Sequence, residues 1–169
     1  MYSGSDGTFD DEYIHYVLDT YSAMLIRLCY TYVKSMHDAE DIAQDVFCEL
    51  IRRRPVFESS EHERAWFVRS AINKCKNHLK SFRVSRTVPI TDDISRQLSD
   101  DGGVSDADSA VRDAVLSLPE KYRTVIHLFY YIGLSINEIA VIKRISAATV
   151  GTQLARARAL LKKQLGDDF

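Results

Sequence analysis

Hydroxyl, amide and guanidinium groups recur along one side of a predicted helix near the end of this 169-residue chain. Such side chains offer hydrogen-bond donors and acceptors to phosphates and to the edges of bases. Their spacing therefore predicts contact with DNA. The residues concerned are Thr149, Thr152, Gln153, Arg156 and Arg158.

Two helices joined by a tight corner are needed to position this face. Ser135 and Glu138 have the spacing of a capping box, which predicts a helix start. After a turn at 143–145, Ser146 is a suitable N-cap for a second helix. An apolar stripe on the second helix can pack on the first: Val150, Leu154, Ala157 and Leu161. The segment predicts a helix-turn-helix, and a helical hairpin with a solvated basic face is the alternative.

A second set of residues is suited to single-stranded or melted nucleic acid. Between Arg64 and Thr91 the chain has seven basic residues and no Asp or Glu. One helical stripe in this run combines cations with amides, and Trp66 and Phe67 flank it with rings that can stack on an unpaired base. The stripe comprises Arg69, Asn73, Lys76, Asn77 and Lys80. A solvated basic face beside two core aromatics is the alternative.

Two further clusters could bind metal, and we expect neither to do so. Carboxylates repeat along one helix at Asp38, Glu40, Asp41, Asp45 and Glu49, as in an all-α Mg²⁺ site. Such a site needs more carboxylates from a facing helix, so a solvated or protein-binding face is favoured. Cys75 and His78 lack two further ligands at a recognisable spacing, and Cys75 falls on an apolar stripe.

The average composition conceals a strong segregation of charge. The formal charge is −2 and the pI is near 6.2, yet residues 1–50 contain ten acids and two bases. This segregation predicts that the protein binds both positively and negatively charged partners. Three cysteines without C-x-x-C spacing fit reduced thiols. No apolar run approaches the ~18 residues of a membrane span, and no signal peptide is recognisable, so we expect a cytoplasmic protein.

The periodicity is helical almost throughout and is interrupted by one connector. Helices are predicted over 13–34, from about Asp38 to Arg54, and after a capping box formed by Ser60 and Glu63. Periodicity is lost over 81–109, and the small polar residues of 99–106 are typical of a flexible linker. Helices resume near Ala110 and again over 119–133. The sequence predicts an all-α protein of two small domains, 1–80 and 110–169, joined by the linker 81–109.

Four segments, in this order, resemble the signatures of bacterial RNA polymerase sigma factors of the extracytoplasmic-function group. They are DAEDIAQDVF at 38–47, AWFVRSAIN at 65–73, LPEKYRTVI at 118–126 and GLSINEIA at 133–140. The resemblance covers roughly residues 10–165. It implies a specificity subunit that joins core RNA polymerase, directs it to promoter DNA and is commonly held inactive by an anti-sigma factor. It implies no catalytic residue, cofactor or metal.

The resemblance also assigns roles to individual residues. The core polymerase interface would include Asp41, Gln44, Asp45 and Phe47. The −10 element would be held as a melted strand by Phe57, Glu58, Ser59, Trp66, Arg69, Asn73, Lys76, Asn77 and Lys80. The −35 element would be read by Ser146, Thr149, Gly151, Thr152, Gln153, Arg156 and Arg158. Linker acids would mimic nucleic-acid charge in the RNA-exit path: Asp92, Asp93, Asp100 and Asp101.

The chain departs from the family pattern at the recognition helix and at its corner. Gly151 and Gln153 occupy positions where relatives commonly have cations, and Lys143 and Arg144 occupy a corner where many have Gly. Two functions from other classes remain open at this point. One is a dimeric helix-turn-helix repressor, which would bind palindromic duplex DNA without polymerase. The other is an all-α Mg²⁺ nucleotide hydrolase, whose turnover would require Asp41 and Asp45.

Overall fold

The computed structural model describes residues 10–85 and 106–166, and all regular structure within these ranges is helical. The all-α fold expected from the sequence is confirmed. The chain divides into two compact units, residues 1–90 and 91–169. The linker acids Asp92, Asp93, Asp100 and Asp101 lie outside the described residues.

The first unit contains three helices: α1 (Asp11–Val33), α2 (Met36–Arg53) and α3 (Ser60–Ser85). Asp10 caps α1 and Ser35 caps α2, each by accepting a hydrogen bond from a backbone N–H in the first turn. The apolar stripes of the three helices meet in one core. Its fully buried members include Val17, Leu25, Leu28, Val46, Leu50, Phe67, Val68 and Ile72.

The start of α3 differs from the predicted capping box. The Ser59 hydroxyl, not that of Ser60, accepts the backbone N–H of His62 at 3.1 Å. Glu63 is only 5 % exposed and points into the core. Ser60 and Glu63 have the S-x-x-E spacing that predicts a capping box, but the prediction was wrong. The Glu63 carboxylate is buried in the core and is therefore not available to the backbone at the helix start.

The second unit contains four α-helices: α4 (Asp106–Ser117), α5 (Glu120–Ile126), α6 (Ile136–Lys143) and α7 (Ala147–Leu165). A π-helical turn, His127–Tyr131, extends α5, and Gly133 ends it with a φ of +78°. The sequence predicts one regular helix over 119–133 and does not predict the π-helical turn. Buried core residues include Leu118, Val125, Leu128, Ile139, Val150 and Leu154.

The predicted helix-turn-helix is present in the second unit. Glu138 accepts the backbone N–H of Ser135 at 2.7 Å, and the Ser135 hydroxyl accepts that of Glu138 at 3.2 Å. Arg144 ends α6 in the left-handed region, with a φ of +56°. Ser146 then caps α7 by accepting the backbone N–H of Thr149 at 3.0 Å. The predicted stripe of Val150, Leu154, Ala157 and Leu161 is buried.

The two helices that border the connector extend into the range 81–109. Helix α3 continues past residue 80 to Ser85, and α4 begins at Asp106. Residues 81–85 contain neither Pro nor Gly, so nothing local stops α3 at residue 80. The loss of apolar periodicity at Ser81 therefore does not mark the end of the helix.

Candidate polymerase and nucleic-acid interfaces

One face of α2 presents polar and acidic side chains to solvent. Asp41, Gln44 and Asp45 are all exposed. Phe47, which the resemblance placed with them, is only 9 % exposed, and its ring centroid lies 5.7 Å from that of Phe67 in α3. Its place in the apolar stripe of α2 explains this burial. Phe47 therefore supports the face from inside and offers no surface to a partner.

The remaining acids of α2 are partly used inside the unit. Glu49 contacts Arg53 at 2.9 Å and Lys74 of α3 at 3.1 Å, and Asp38 lies 3.5 Å from His78. Within residues 10–85 and 106–166, no group of three or more His, Cys, Asp or Glu side chains could hold a metal ion. Cys75 is fully buried. The acids that face outward are thus Glu40, Asp41 and Asp45.

The predicted basic stripe of α3 is a continuous solvent-facing surface. Its five members, Arg69, Asn73, Lys76, Asn77 and Lys80, are all exposed. Lys74 belongs to the same basic run but is held by Glu49. The stripe therefore combines three cations with two amides on one side of a single helix, as expected from the sequence.

An aromatic cluster lies at the start of this stripe. The Phe57 ring packs edge-on against Trp66, with centroids 5.9 Å apart, and against His62, at 5.6 Å. The backbone N–H of Glu58 donates to His62 Nδ1 at 3.3 Å. Glu58 and Ser59 are exposed at the edge of the cluster. Sequence reasoning missed His62, although its position one helical turn before Trp66 was the available signal.

A buried carboxylate anchors the first turn of α3 to α1. Glu63 accepts hydrogen bonds from the hydroxyls of Tyr13, at 2.6 Å, and Tyr21, at 2.8 Å. Burial, together with these bonds, raises the pKa of both tyrosines above the ordinary value. The Tyr21 ring also stacks on Phe67 at 4.3 Å. This arrangement could not be predicted from local patterns, because Glu63 is far from both tyrosines in the chain.

The predicted reading face of α7 forms one wall of a polar groove. The groove has a volume of about 350 Å³ and lies between the start of α5 and the first half of α7. Two cations, two hydroxyls, an amide and a phenol line it, and no carboxylate does. The lining residues are Lys121, Tyr122, Ala148, Thr149, Thr152, Gln153 and Arg156. Sequence reasoning missed Lys121 and Tyr122.

Three predicted members of the reading face have particular local settings. Ser146 uses its hydroxyl to cap α7 and also contacts the Thr149 hydroxyl at 2.8 Å. Gly151 is half-buried, and a Cβ added there would meet no heavy atom within 4 Å. The Oε1 atom of Gln153 is buried and has no hydrogen-bond partner among the described residues.

Arg158 does not belong to the reading face. Its Nε donates to the Tyr130 hydroxyl at 2.8 Å, and its guanidinium lies over the rings of Phe129 and Tyr130. Two residues along an α-helix correspond to a rotation of about 200°, so Arg158 points away from Arg156. It lines an apolar groove of about 500 Å³, together with Val111, Val115, Ile126, Tyr130, Tyr131, Ala159, Leu161 and Lys162.

Comparisons with known proteins agree with this division. The family models for Sigma-70 region 2 and Sigma-70 region 4 match residues 17–83 and 108–161. The ECF RNA polymerase sigma factor SigW of Bacillus subtilis is 31 % identical, over 89 % of this chain and 88 % of its own. The chain belongs to the ECF sigma factors. SigV of the same organism is 29 % identical, over 82 % of each chain.

Two solved sigma factors share the fold of this ECF sigma factor. RpoE, in complex with the anti-sigma factor NepR from Bartonella quintana, aligns with a TM-score of 0.73 and 19 % identity. The alignment covers 95 % of this chain and 100 % of that one. CnrH, in complex with the cytosolic domain of CnrY, gives a TM-score of 0.64 and 20 % identity, over 94 % and 91 % of the two chains.

Family membership gives this ECF sigma factor its general function, which is to direct RNA polymerase to particular promoters. The region 2 match includes the acidic face of α2 and the basic stripe of α3, and the region 4 match includes the polar groove on α7. No helix among residues 10–85 and 106–166 combines the length and apolarity that crossing a membrane requires.

Proposed function

We propose that this ECF sigma factor docks on core RNA polymerase through Asp41, Gln44 and Asp45 and recognises the −10 and −35 elements with its two units. The domain limits are 1–80 for polymerase binding and melted DNA, 81–109 for the linker and 110–169 for duplex DNA. The observation that carries the proposal is the segregation of exposed charge between α2 and α3. An acidic face would be repelled by DNA and suits a protein partner.

The −10 element is assigned to the basic stripe of α3 and its aromatic cluster. Arg69, Lys76 and Lys80 supply cations for the backbone, and Asn73 and Asn77 supply amides for base edges. Phe57 and Trp66 offer ring surfaces at the start of this stripe, with Glu58 and Ser59 at the rim. Rings of this kind hold unstacked bases, which exist only in a melted strand.

The −35 element is assigned to the polar groove. Thr149, Thr152 and Arg156 line it beside Gln153, whose amide matches the N6 and N7 groups of adenine. An unpaired buried acceptor costs about 1–3 kcal/mol, so rotation of the Gln153 amide toward a base edge would relieve that cost. Ser146 contributes by fixing the start of α7, and Gly151 adds no side chain to the surface.

The regulatory partner in this proposal is an anti-sigma factor. Support comes from the two solved relatives, each of which is bound to another protein: the anti-sigma factor NepR in one case and the cytosolic domain of CnrY in the other. The proposal includes a cytoplasmic location, where RNA polymerase acts, and no catalytic step or cofactor. Family membership argues against the repressor and the nucleotide hydrolase, since sigma factors act with polymerase.

Charge reversal on α2 tests the proposal. We expect the Asp41→Lys, Asp45→Lys variant to lose co-purification with core polymerase, because both carboxylates are exposed on the proposed docking face. Exposed charges contribute little to folding, so helical content should be unchanged. A matched control is Asp19→Lys, Asp113→Lys, which reverses two exposed carboxylates elsewhere. Equal loss in the control, or retained binding in the α2 variant, would contradict the assignment.

A further inference from the structure

One exposed histidine contacts three consecutive residues at the entrance to α3. The His62 ring meets that of Phe57 edge-on, with centroids 5.6 Å apart. Its Nδ1 accepts the backbone N–H of Glu58 at 3.3 Å, and its own backbone N–H donates to the Ser59 hydroxyl at 3.1 Å. His62 is itself exposed and does not belong to the buried core. Its contacts therefore act on the 57–59 segment and not on the packing of the three helices.

The two hydrogen bonds of His62 form a variant of the capping box. In the usual box, a hydroxyl at the helix start accepts the backbone N–H three residues later, and a Glu or Gln at that later position accepts the N–H of the hydroxyl residue in return. Here Ser59 supplies the hydroxyl, and the His62 side chain accepts from Glu58, one residue before the usual partner. A backbone N–H can only donate, so Nδ1 is the acceptor and the hydrogen of the neutral ring is on Nε2. The bond thus fixes a residue that lies before the helix.

The 57–59 segment brings to the aromatic cluster the residues that lie outside the helices. It connects α2 to α3, and its Phe57 ring packs on Trp66 as well as on His62, with the Phe57 and Trp66 centroids 5.9 Å apart. His62 and Trp66 are one helical turn apart on the same side of α3, and together they give the Phe57 ring two partners. The position of Phe57 and Glu58 next to the basic stripe therefore depends on His62.

We propose that His62 is a positioning residue for −10 recognition, which holds Phe57 and Glu58 where they meet an unstacked base. This inference rests on the proposed assignment of the −10 element to the aromatic cluster. Side chains bind a ligand best when their own conformation is fixed in advance, because less entropy is then lost on binding. His62 supplies this order through its Nδ1 bond and needs no contact with DNA. A histidine that only stabilised the start of α3 would change stability and leave base preference untouched.

Three substitutions separate the acceptor of His62 from its ring. Asn keeps an acceptor oxygen on Cγ, where His has Nδ1, and has no ring. Phe keeps a ring and has no acceptor, and Gln moves the acceptor one bond further from the backbone. We expect His62→Phe and His62→Gln to weaken binding of holoenzyme to promoter DNA with an unpaired −10 strand about fivefold, and to lower its preference among −10 bases. His62→Asn should stay within about twofold of wild type.

Two controls accompany this measurement. Affinity for the intact duplex promoter at low temperature and the urea midpoint of the first unit should be nearly alike in all four proteins, because His62 is exposed. Equal −10 preference in wild type, His62→Phe and His62→Gln would overturn the proposal, whatever their urea midpoints, and so would a His62→Asn variant as impaired as His62→Phe. If wild-type holoenzyme itself showed no preference among −10 bases, the proposed function would fail, which is a distinguishable result.

Discussion

The two surfaces proposed to bind nucleic acid in this sigma factor are held in place by different means. The aromatic cluster and stripe of α3 begin at a turn that Glu63 fixes to α1 through two buried tyrosine hydroxyls. The reading face of α7 depends instead on an exposed N-cap and an apolar stripe beneath it. A buried polar anchor is costly to break, whereas an exposed cap contributes only about 1 kcal/mol.

The surfaces also differ in shape. The stripe lies on the open side of one helix, next to the half-buried rings of Phe57 and Trp66, while the polar groove is a concave surface between two helices. An open surface with rings suits bases that have left the stack, and a concave polar surface suits the regular edge of a duplex. The unit proposed to act after strand separation is therefore the one whose site has a buried polar anchor.

The largest expected effect comes from removing the anchor of α3. Glu63→Ala removes the acceptor that the hydroxyls of Tyr13 and Tyr21 share, and a lost buried hydrogen bond of this kind costs about 1–3 kcal/mol for each hydroxyl. We expect the first unit to lose about 3 kcal/mol of unfolding free energy. The full chain has one tryptophan, Trp66, so urea unfolding followed by tryptophan fluorescence reports on this unit.

A control and a contradictory result are available for the same measurement. Glu40→Ala removes an exposed carboxylate from the same unit and should leave the midpoint nearly unchanged. If Glu63→Ala and wild type unfolded at the same midpoint urea concentration, Glu63 would not stabilise the first unit, and the proposed contrast between the two surfaces would fail.

A smaller effect is expected at alkaline pH. Because the pKa of Tyr13 and of Tyr21 is raised in the folded state, the unfolded chain loses these protons first, near pH 10. Their stabilisation is complete below about pH 10 and declines as the pH rises further. Relative to a Tyr13→Phe, Tyr21→Phe variant, wild type should lose about 1.4 kcal/mol per pH unit for each tyrosine. Parallel stability curves for the two proteins between about pH 9 and pH 11 would disprove this.

The smallest effect is a gain in the second unit. Gly151 lies inside α7, and a Cβ there meets nothing within 4 Å. Ala is favoured over Gly in a helix by about 1 kcal/mol, so Gly151→Ala should stabilise this unit by about that amount. Thermal unfolding followed by circular dichroism measures the gain. The unfolding midpoint of the first unit, followed by the fluorescence of Trp66, should not change. A loss of stability would show that Gly151 is required by the fold.

Local patterns predicted the fold well because helix starts and apolar stripes depend on neighbours in the chain. The capping box at Ser135 and the buried stripe from Val150 to Leu161 are examples. The Ser60–Glu63 box failed for a physical reason, since the partners of Glu63 are tyrosines on another helix. Contacts between distant residues leave no periodic signal in one sequence.

The candidate sites could be predicted only where they depend on residues that are close together in the chain. The exposed stripe of α3 follows from helical spacing alone, and so does the acidic face of α2. Phe47 was placed by family resemblance on a face that the helical rotation does not give it. Arg158 was misplaced already by the residue pattern, which grouped it with Arg156 although the two point in different directions on the helix. Lys121 and Tyr122 were missed because the groove is completed by a helix earlier in the chain.

The most direct test of the account compares Asn73→Ala with Arg156→Ala in holoenzyme on one promoter. Initial duplex binding is measured by affinity at low temperature, and strand opening by permanganate reactivity after warming. We predict that Asn73→Ala retains initial binding and impairs opening, and that Arg156→Ala weakens initial binding while complexes that do form open normally. If both variants lowered the same step, the assignment of melted DNA to α3 and duplex DNA to α7 would be wrong.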